Sequence, residues 1–141
     1  MSIRKKLFFG VLVTLLLGTS FKLPAKGQYL SQEDFLTMAF EGGYSPDRLW
    51  LDKELKEELK KILGHGVAGL RIRYWAQGTR TAWILEEIGK ERPITIGIVV
   101  DSKGIEMVRI LAFRESRGWE VRYPFFTDQF PGTTLSERYK L

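Results

Sequence analysis

The sequence of 141 residues contains no cysteine and a single histidine, His65. Without cysteine, the chain cannot form a disulfide, a zinc–thiolate site, an iron–sulfur cluster or a c-type haem attachment, and it has no cysteine nucleophile. A single histidine also excludes a histidine-rich metal site. Thiol and zinc chemistry are therefore not expected of this protein.

The chain is also too short for two full domains and has no internal repeat. Its mass is 16.3 kDa, with 44% hydrophobic and 28% charged residues, so one domain with a core and a solvated surface is expected. Long apolar runs and heptad repeats are absent, which excludes coiled-coil and multi-span membrane classes.

The first 20 residues have the order of a secretory signal. Arg4, Lys5 and Lys6 precede Leu7–Gly18, twelve residues without charge, and small residues follow up to Ser20. As a helix this run would extend about 18 Å, short of the ~30 Å hydrocarbon core. We therefore expect a signal peptide at 1–20 and an extracytoplasmic protein, periplasmic or secreted. The alternative is an uncleaved anchor formed by residues 7–21.

Positive charge is modest once the signal is set aside. The whole chain carries +5, and removing the three basic residues of the signal leaves 19 basic against 17 acidic residues, or +2. This balance does not indicate a nucleic-acid partner. Residues 21–30 contain Pro24 and Gly27 and no periodicity, which predicts a tether.

Two helices and then a run of strands are predicted in the domain at 31–141. Ser31 is a helix N-cap before acidic residues, and the pair Gly42-Gly43 is expected to end that helix before a turn at 44–47. The stripe of Leu55, Leu59 and Ile62 predicts a second helix from Asp52 that ends at Gly64 and packs as a scaffold. From residue 69 the period changes to two, with strands predicted at 69–77, 79–86, 94–100 and 105–113. The fold class expected is α+β, with two N-terminal helices packed on an antiparallel sheet of about four strands.

Catalytic motifs are weak. The adjacent carboxylates of Glu57-Glu58 and Glu86-Glu87 point to different faces, and there is no G-x-S-x-G element. Six aromatic residues are more informative about function than these carboxylates, although most of them would belong to a core. The alternative is an aromatic-lined pocket beside Arg114, Arg117 and Arg122, suited to a planar anionic ligand. The aromatic residues are Trp75, Trp83, Trp119, Phe125, Phe126 and Phe130.

Three segments carry a resemblance to a known family. The strand–turn–strand segment Ile96–Ile105 is followed by Arg114–Trp119, with the sequence RESRGW, and by Thr127–Gly132, with the sequence TDQFPG. Together they resemble the FMN-binding domain family, the flavin-carrying domains of the sodium-pumping NADH:quinone reductase and related electron-transport complexes. The resemblance extends over about residues 69–135.

The resemblance implies extracytoplasmic electron transfer through FMN, with membrane or extracytoplasmic electron-transfer proteins as partners. The protein would be an electron-carrier domain rather than a stand-alone enzyme, because the cofactor performs the redox chemistry. The flavin-bordering residues that it implies are Arg114, Glu115, Arg117, Gly118, Trp119 and Gln129. Within this set, Glu115 and Gly118 would shape the loop.

One departure from the family pattern is clear. The family attaches FMN by a phosphoester to the hydroxyl of a Ser/Asp-Gly-Ala-Thr/Ser motif, which would lie after Gly132. This chain contains no such motif, and Pro131–Thr134 lacks its alanine. We therefore expect a C-terminally incomplete domain without a covalent attachment residue. The alternative function is a non-redox extracytoplasmic binding module that has lost the flavin site and pairs through an exposed sheet edge.

Overall fold

The computed structural model describes residues 27–135. The predicted signal peptide, residues 21–26 of the predicted tether and residues 136–141 lie outside the described residues. The elements are α1 (Gln32–Ala39), β1 (Ser45–Trp50), α2 (Lys53–Leu63), β2 (Arg71–Gln77), β3 (Arg80–Ile88), β4 (Pro93–Asp101), β5 (Gly104–Phe113), a 3-10 helix (Trp119–Arg122) and α3 (Pro124–Thr127).

All five strands form one antiparallel sheet in the order β1-β2-β3-β4-β5. Each strand pairs with the next one in the sequence. Short turns such as Asp101–Gly104 connect β2 to β5 in succession, whereas helix α2 lies between β1 and β2. The predicted α+β class with an antiparallel sheet is confirmed. The strands predicted from the period of two correspond to β2 to β5.

The prediction of two N-terminal helices on about four strands is wrong in its details. A fifth strand, β1, lies between the two helices, where a turn was expected. The sequence of β1 shows no alternation of apolar and polar residues, because nearly all its side chains are exposed. Pro46, which argues against a strand, is tolerated because β1 lies at the edge of the sheet and needs no outer partner for that position.

Helix α1 packs its apolar side on the sheet. Ser31 caps it as expected, its Oγ accepting a hydrogen bond from the Asp34 N–H at 3.0 Å. The helix ends at Ala39, before the glycine pair that was expected to end it. Phe35 and Leu36 are buried and fix the helix on the core side of β3 and β5.

Helix α2 does not form the packed scaffold that its apolar stripe predicted. It begins after the Asp52 N-cap and ends at Gly64, which has a φ of 78°, as the sequence indicated. None of its residues is buried, and its apolar stripe is only half-buried. The contribution of α2 to the core is therefore small. Within residues 27–135, no helix is long and apolar enough to cross a membrane.

The core lies between α1 and one face of the sheet. Cross-strand pairing brings Trp75, Ala82 and Val99 to that face, all of them buried. Gly97 lies below Phe35, where a β-carbon would come within 2.6 Å of the Phe35 ring. A glycine at this position therefore lets the helix approach the sheet.

The outer edge of β5 is covered by the two ends of the described part of the chain. Near the end of the strand, Tyr29 N donates to Leu111 O at 2.8 Å, and Phe113 N donates to Gly27 O at 2.8 Å. Near its start, Ile105 N donates to Thr133 O at 2.9 Å. The described part of the predicted tether is thus hydrogen-bonded to the sheet. Coverage of this kind prevents edge-to-edge association.

Candidate functional site

The loop after β5 is joined to the turn between β3 and β4 by Glu115. Its Oε1 accepts hydrogen bonds from the backbone N–H groups of Glu91, at 2.6 Å, and Arg92, at 2.9 Å. These two N–H donors, with Glu91 contributing most, hold the pKa of the Glu115 carboxyl below its ordinary value. Glu115 is therefore ionised at neutral pH and ties the loop to the turn.

Arg114 is also engaged within the fold. Its Nη1 donates to Pro93 O at 3.1 Å and to Thr95 Oγ1 at 3.0 Å, and it lies 3.7 Å from Glu86 Oε1. The guanidinium thus bridges the start of β4 and the end of β3. Since these contacts use one nitrogen, the remaining donors of the group stay available.

Gly118 ends the loop and allows the chain to turn into the 3-10 helix. Its φ is 85°, a left-handed conformation that a residue with a β-carbon adopts at a cost. A β-carbon there would lie 3.6 Å from the ring of Phe113, which is ordinary contact, so the backbone angle rather than space favours glycine.

Two open clefts adjoin at this junction. The larger, of about 640 Å³, is lined by residues that include Tyr29, Arg92 and Arg114, and the smaller, of about 410 Å³, by residues that include Arg117 and Gly118. Both clefts share Glu115 and three other lining residues, and we refer to the two adjoining clefts together as the depression. The volumes fall in the range of small-molecule sites, about 300–1,000 Å³.

Two guanidinium groups of the depression have no partner within residues 27–135. Neither Arg92 nor Arg117 forms an ion pair or a side-chain hydrogen bond with another residue of this part of the chain. Free guanidinium groups suit a phosphate, which they can bind through two parallel hydrogen bonds. Lys90 adds a third cation, while Glu91 and Glu115 supply negative charge.

The predicted site residues divide into two groups. The structure brings Arg114, Glu115, Arg117 and Gly118 together around the depression. Trp119 and Gln129 line neither cleft. The Gln129 side chain is turned to its own backbone, with Nε2 donating to Phe125 O at 2.9 Å.

Trp119 belongs to an aromatic cluster around Arg122. The Arg122 guanidinium carbon lies 4.2 Å from the ring centre of Tyr29, 4.9 Å from that of Tyr123 and 5.2 Å from that of Trp119. The Tyr123 hydroxyl accepts a hydrogen bond from Arg122 Nη2 at 3.1 Å and raises the pKa of that guanidinium. Tyr29 lines the larger cleft as well, so it joins the aromatic cluster to the depression.

The single aromatic-lined pocket that the composition suggested is not formed. Trp75 is buried in the core, while Trp83 stacks on Tyr74 with ring centres 4.6 Å apart on the opposite face. Phe126 and Phe130 contact each other edge to face. The sequence missed Tyr29 and Arg92, because an isolated tyrosine in a predicted tether and a charged turn residue give no local signal.

Other chemistry has little support in the described residues. No group of three or more histidine, aspartate or glutamate side chains within 27–135 could hold a metal ion. His65 Nε2 lies 3.0 Å from Glu87 Oε1, but both side chains are about half exposed and away from the clefts. We interpret this as a surface contact between two side chains.

Comparison with known proteins adds no relative: the chain matches no family model, no curated protein and no solved structure. The function must therefore be argued from the residues of the depression.

Those residues fit the two ends of flavin mononucleotide differently. The phosphate would meet the unpaired guanidinium groups of Arg92 and Arg117. The N–H groups of the β3–β4 turn already donate hydrogen bonds to the Glu115 carboxylate. The flavin ring system would stack on the side chain of Tyr29, which is 40% exposed. A planar anionic ligand is thus compatible with the site through side chains rather than through turn amides.

Proposed function

We propose that the protein is an exported FMN-binding electron carrier of the FMN-binding domain type and that it holds the flavin in the depression beside Glu115. The observation that carries this proposal is the joining of the Arg114–Gly118 loop to the β3–β4 turn. The unpartnered Arg92 lines the same cleft as the exposed ring of Tyr29, and the unpartnered Arg117 lines the adjoining cleft. The resemblance of the same loop to the family supplies the identity of the cofactor.

Each residue of the depression has a distinct role in this proposal. Arg92 and Arg117 pair with the phosphate, and Tyr29 provides a surface on which the ring system stacks. Glu115 does not contact the ligand: it fixes the loop against the turn so that both arginines face the same depression. When bound, the flavin supplies the redox chemistry, and the protein determines its position and electrostatic surroundings.

Within these 141 residues, FMN binding is expected to be non-covalent. The sequence contains no Ser/Asp-Gly-Ala-Thr/Ser motif whose hydroxyl could accept the phosphoester. FMN should therefore dissociate on dilution and leave no fluorescent band on a denaturing gel. Membrane or extracytoplasmic electron-transfer proteins would be the partners of such a carrier.

The test is a titration of FMN with the purified full chain, followed by flavin fluorescence. We expect FMN to bind more tightly than riboflavin, since only FMN carries the phosphate. Arg92→Gln and Arg117→Gln should each weaken FMN binding about tenfold, as expected for loss of one charged hydrogen-bonding group, without weakening riboflavin binding. Lys103→Gln, in the β4–β5 turn, removes the same charge outside the depression and is the matched control.

Equal binding of FMN and riboflavin, or no binding of either, would overturn the proposal. The alternative, a non-redox extracytoplasmic binding module, would then be favoured. That alternative is supported by the exposed position of β1 at the end of the sheet, where a partner strand could pair.

Export is proposed from the sequence alone. The order of basic, apolar and small residues at 1–20 implies cleavage near Ser20, so the exported protein should begin near Phe21. Mass spectrometry of the extracytoplasmic fraction checks this expectation. An intact Met1 on membrane-bound protein would instead indicate an anchor at residues 7–21.

A further inference from the structure

Strands β1 and β2 carry a surface that the flavin proposal does not use. We define the basic–aromatic patch as Arg48, Trp50, Arg71 and Arg73. Arg48 lies directly opposite Arg73 in the strand pairing, and Trp50 lies opposite Arg71, so all four side chains share one face of the sheet. A cleft of about 570 Å³ is lined by three of them, with Pro46 and Asp47 at its side.

The three arginines of the patch are unpaired. Within residues 27–135, none of them forms an ion pair or a side-chain hydrogen bond with another residue. Like charges directly opposite each other in a sheet destabilise it. The Arg48–Arg73 pair is therefore a local cost to the fold that a bound anion would remove.

The nearest acid does not neutralise the patch. Asp47 points to the other face, where its carboxylate accepts hydrogen bonds from the Arg48 N–H at 2.7 Å and the Tyr74 hydroxyl at 2.9 Å. With the Arg48 N–H contributing most, these bonds lower the pKa of Asp47. The Asp47 carboxylate is therefore engaged by these two donors and does not pair with the guanidinium groups of the patch.

A large aromatic side chain is left in water at the end of the two strands. Trp50 is 62% exposed, and the Arg71 guanidinium carbon lies 5.6 Å from the centre of its ring system. An exposed tryptophan next to arginines is typical of side chains that meet a membrane interface.

We propose that the basic–aromatic patch binds the surface of a bilayer that contains anionic phospholipid. The three guanidinium groups bind headgroup phosphates, and the ring of Trp50 enters the interfacial region. Charge complementarity selects an anionic partner, and the exposed Trp50 favours a lipid surface over a purely polar polyanion. This site goes beyond the flavin proposal and stands on different residues.

The test compares binding of the full chain to vesicles of phosphatidylcholine alone and of phosphatidylcholine with phosphatidylglycerol in equal parts. The quantity measured is the ratio of the two partition coefficients, and it is compared between the original chain and each variant, because Arg4, Lys5 and Lys6 contribute to the ratio equally in all of them. We expect the ratio to exceed one and to fall as sodium chloride is raised. Arg48→Gln and Arg73→Gln should each lower it about fivefold.

Two controls keep the test specific. Lys103→Gln removes one positive charge from the β4–β5 turn and should leave the ratio unchanged. Trp50→Ala should weaken binding to both kinds of vesicle, since it removes the interfacial side chain. Circular dichroism of each variant checks the fold, and Arg48→Gln should melt no lower than the original because it relieves the like-charge pair.

Equal binding to neutral and anionic vesicles, or an equal effect of Lys103→Gln, would overturn the proposal. A single-stranded oligonucleotide that binds with the same dependence on Arg48 and Arg73, while the vesicles show none, would also overturn it and assign the patch to nucleic acid.

Discussion

Glu115 illustrates how one side chain can determine a site without contacting its ligand. Its carboxylate occupies the two N–H groups that an anion would otherwise find at the β3–β4 turn. In doing so it brings Arg117 and Arg92 to one depression. Replacing the charge should therefore alter ligand binding through the loop and not through a lost contact.

The first residue-scale prediction concerns the pH dependence of this link. Because the pKa of Glu115 is lower in the folded protein than its ordinary value of about 4.5, its stabilisation is fully present above that value. It is lost as the pH falls through the folded pKa. Amide exchange of Glu91 and Arg92, followed by nuclear magnetic resonance, should show protection at neutral pH that disappears in acid.

A matched pair of variants separates this effect from general acid unfolding. Glu115→Gln should lose protection of both amides at neutral pH and converge with the original protein in acid. Glu120→Gln, whose carboxylate accepts no hydrogen bond from residues 27–135, should behave like the original. Unchanged protection in Glu115→Gln would show that the carboxylate charge does not hold the turn.

The extent to which this site could be predicted follows from where its residues lie in the sequence. Arg114–Gly118 is one continuous polar loop, so the sequence locates it and the resemblance gives it a role. Arg92 and Tyr29 lie more than 20 residues away in sequence and reach the loop through strand pairing. Pairing between residues so far apart leaves no pattern in the local sequence. The sequence around Tyr29 therefore predicts only a tether.

At the scale of elements, periodicity predicted the strands with buried faces and missed the exposed one. β2 to β4 alternate because one face of each packs on the core, whereas β5 has apolar residues on both faces and buries both toward its end. β1 buries no side chain, so it has no alternation to detect. The same limit applies to α2, whose apolar stripe predicted a packed helix although every residue of the helix stays at least partly exposed.

The two helices should differ in how their caps affect stability. Ser31 caps α1, which buries Phe35 and Leu36, whereas Asp52 caps α2, with its Oδ1 accepting from the Leu55 N–H at 2.8 Å. Ser31→Ala should lower the global free energy of unfolding by about 1 kcal/mol. Asp52→Ala removes an equivalent bond but should leave the global value nearly unchanged, because α2 can unfold locally.

Urea denaturation and hydrogen exchange measured by mass spectrometry check this prediction together. The amides of α2 should exchange faster than those of α1, and Asp52→Ala should accelerate the exchange of α2 alone. If Asp52→Ala lowers the midpoint of urea unfolding as much as Ser31→Ala, then α2 is part of the cooperative core.

At the scale of the whole molecule, the two proposed surfaces lie toward opposite edges of the sheet. The depression is built around the end of β5, and the basic–aromatic patch is built on β1 and β2. From β1 to β5 the sheet has four inter-strand spacings of about 4.8 Å, a separation of roughly 19 Å. A bilayer bound to the patch would therefore be displaced from the depression along the sheet by about that distance.

This arrangement predicts that flavin binding and vesicle binding are energetically independent. Substitutions more than 7–10 Å apart without shared partners usually have additive effects, and the patch and the depression have no residue in common. Arg48→Gln should therefore leave FMN affinity unchanged while lowering the vesicle ratio. Arg117→Gln should lower FMN affinity and leave the vesicle ratio unchanged. The double variant should show each loss at the size measured in the corresponding single variant.

The control is to measure FMN affinity of the original chain with and without anionic vesicles at fixed salt. Equal affinities would agree with two separate sites on one rigid sheet. A change in FMN affinity on vesicle binding, retained in Arg117→Gln and abolished in Arg48→Gln, would mean that the lipid surface acts on the depression through the sheet. In that case the two edges could not be treated as independent binding surfaces, because occupation of one would alter the other.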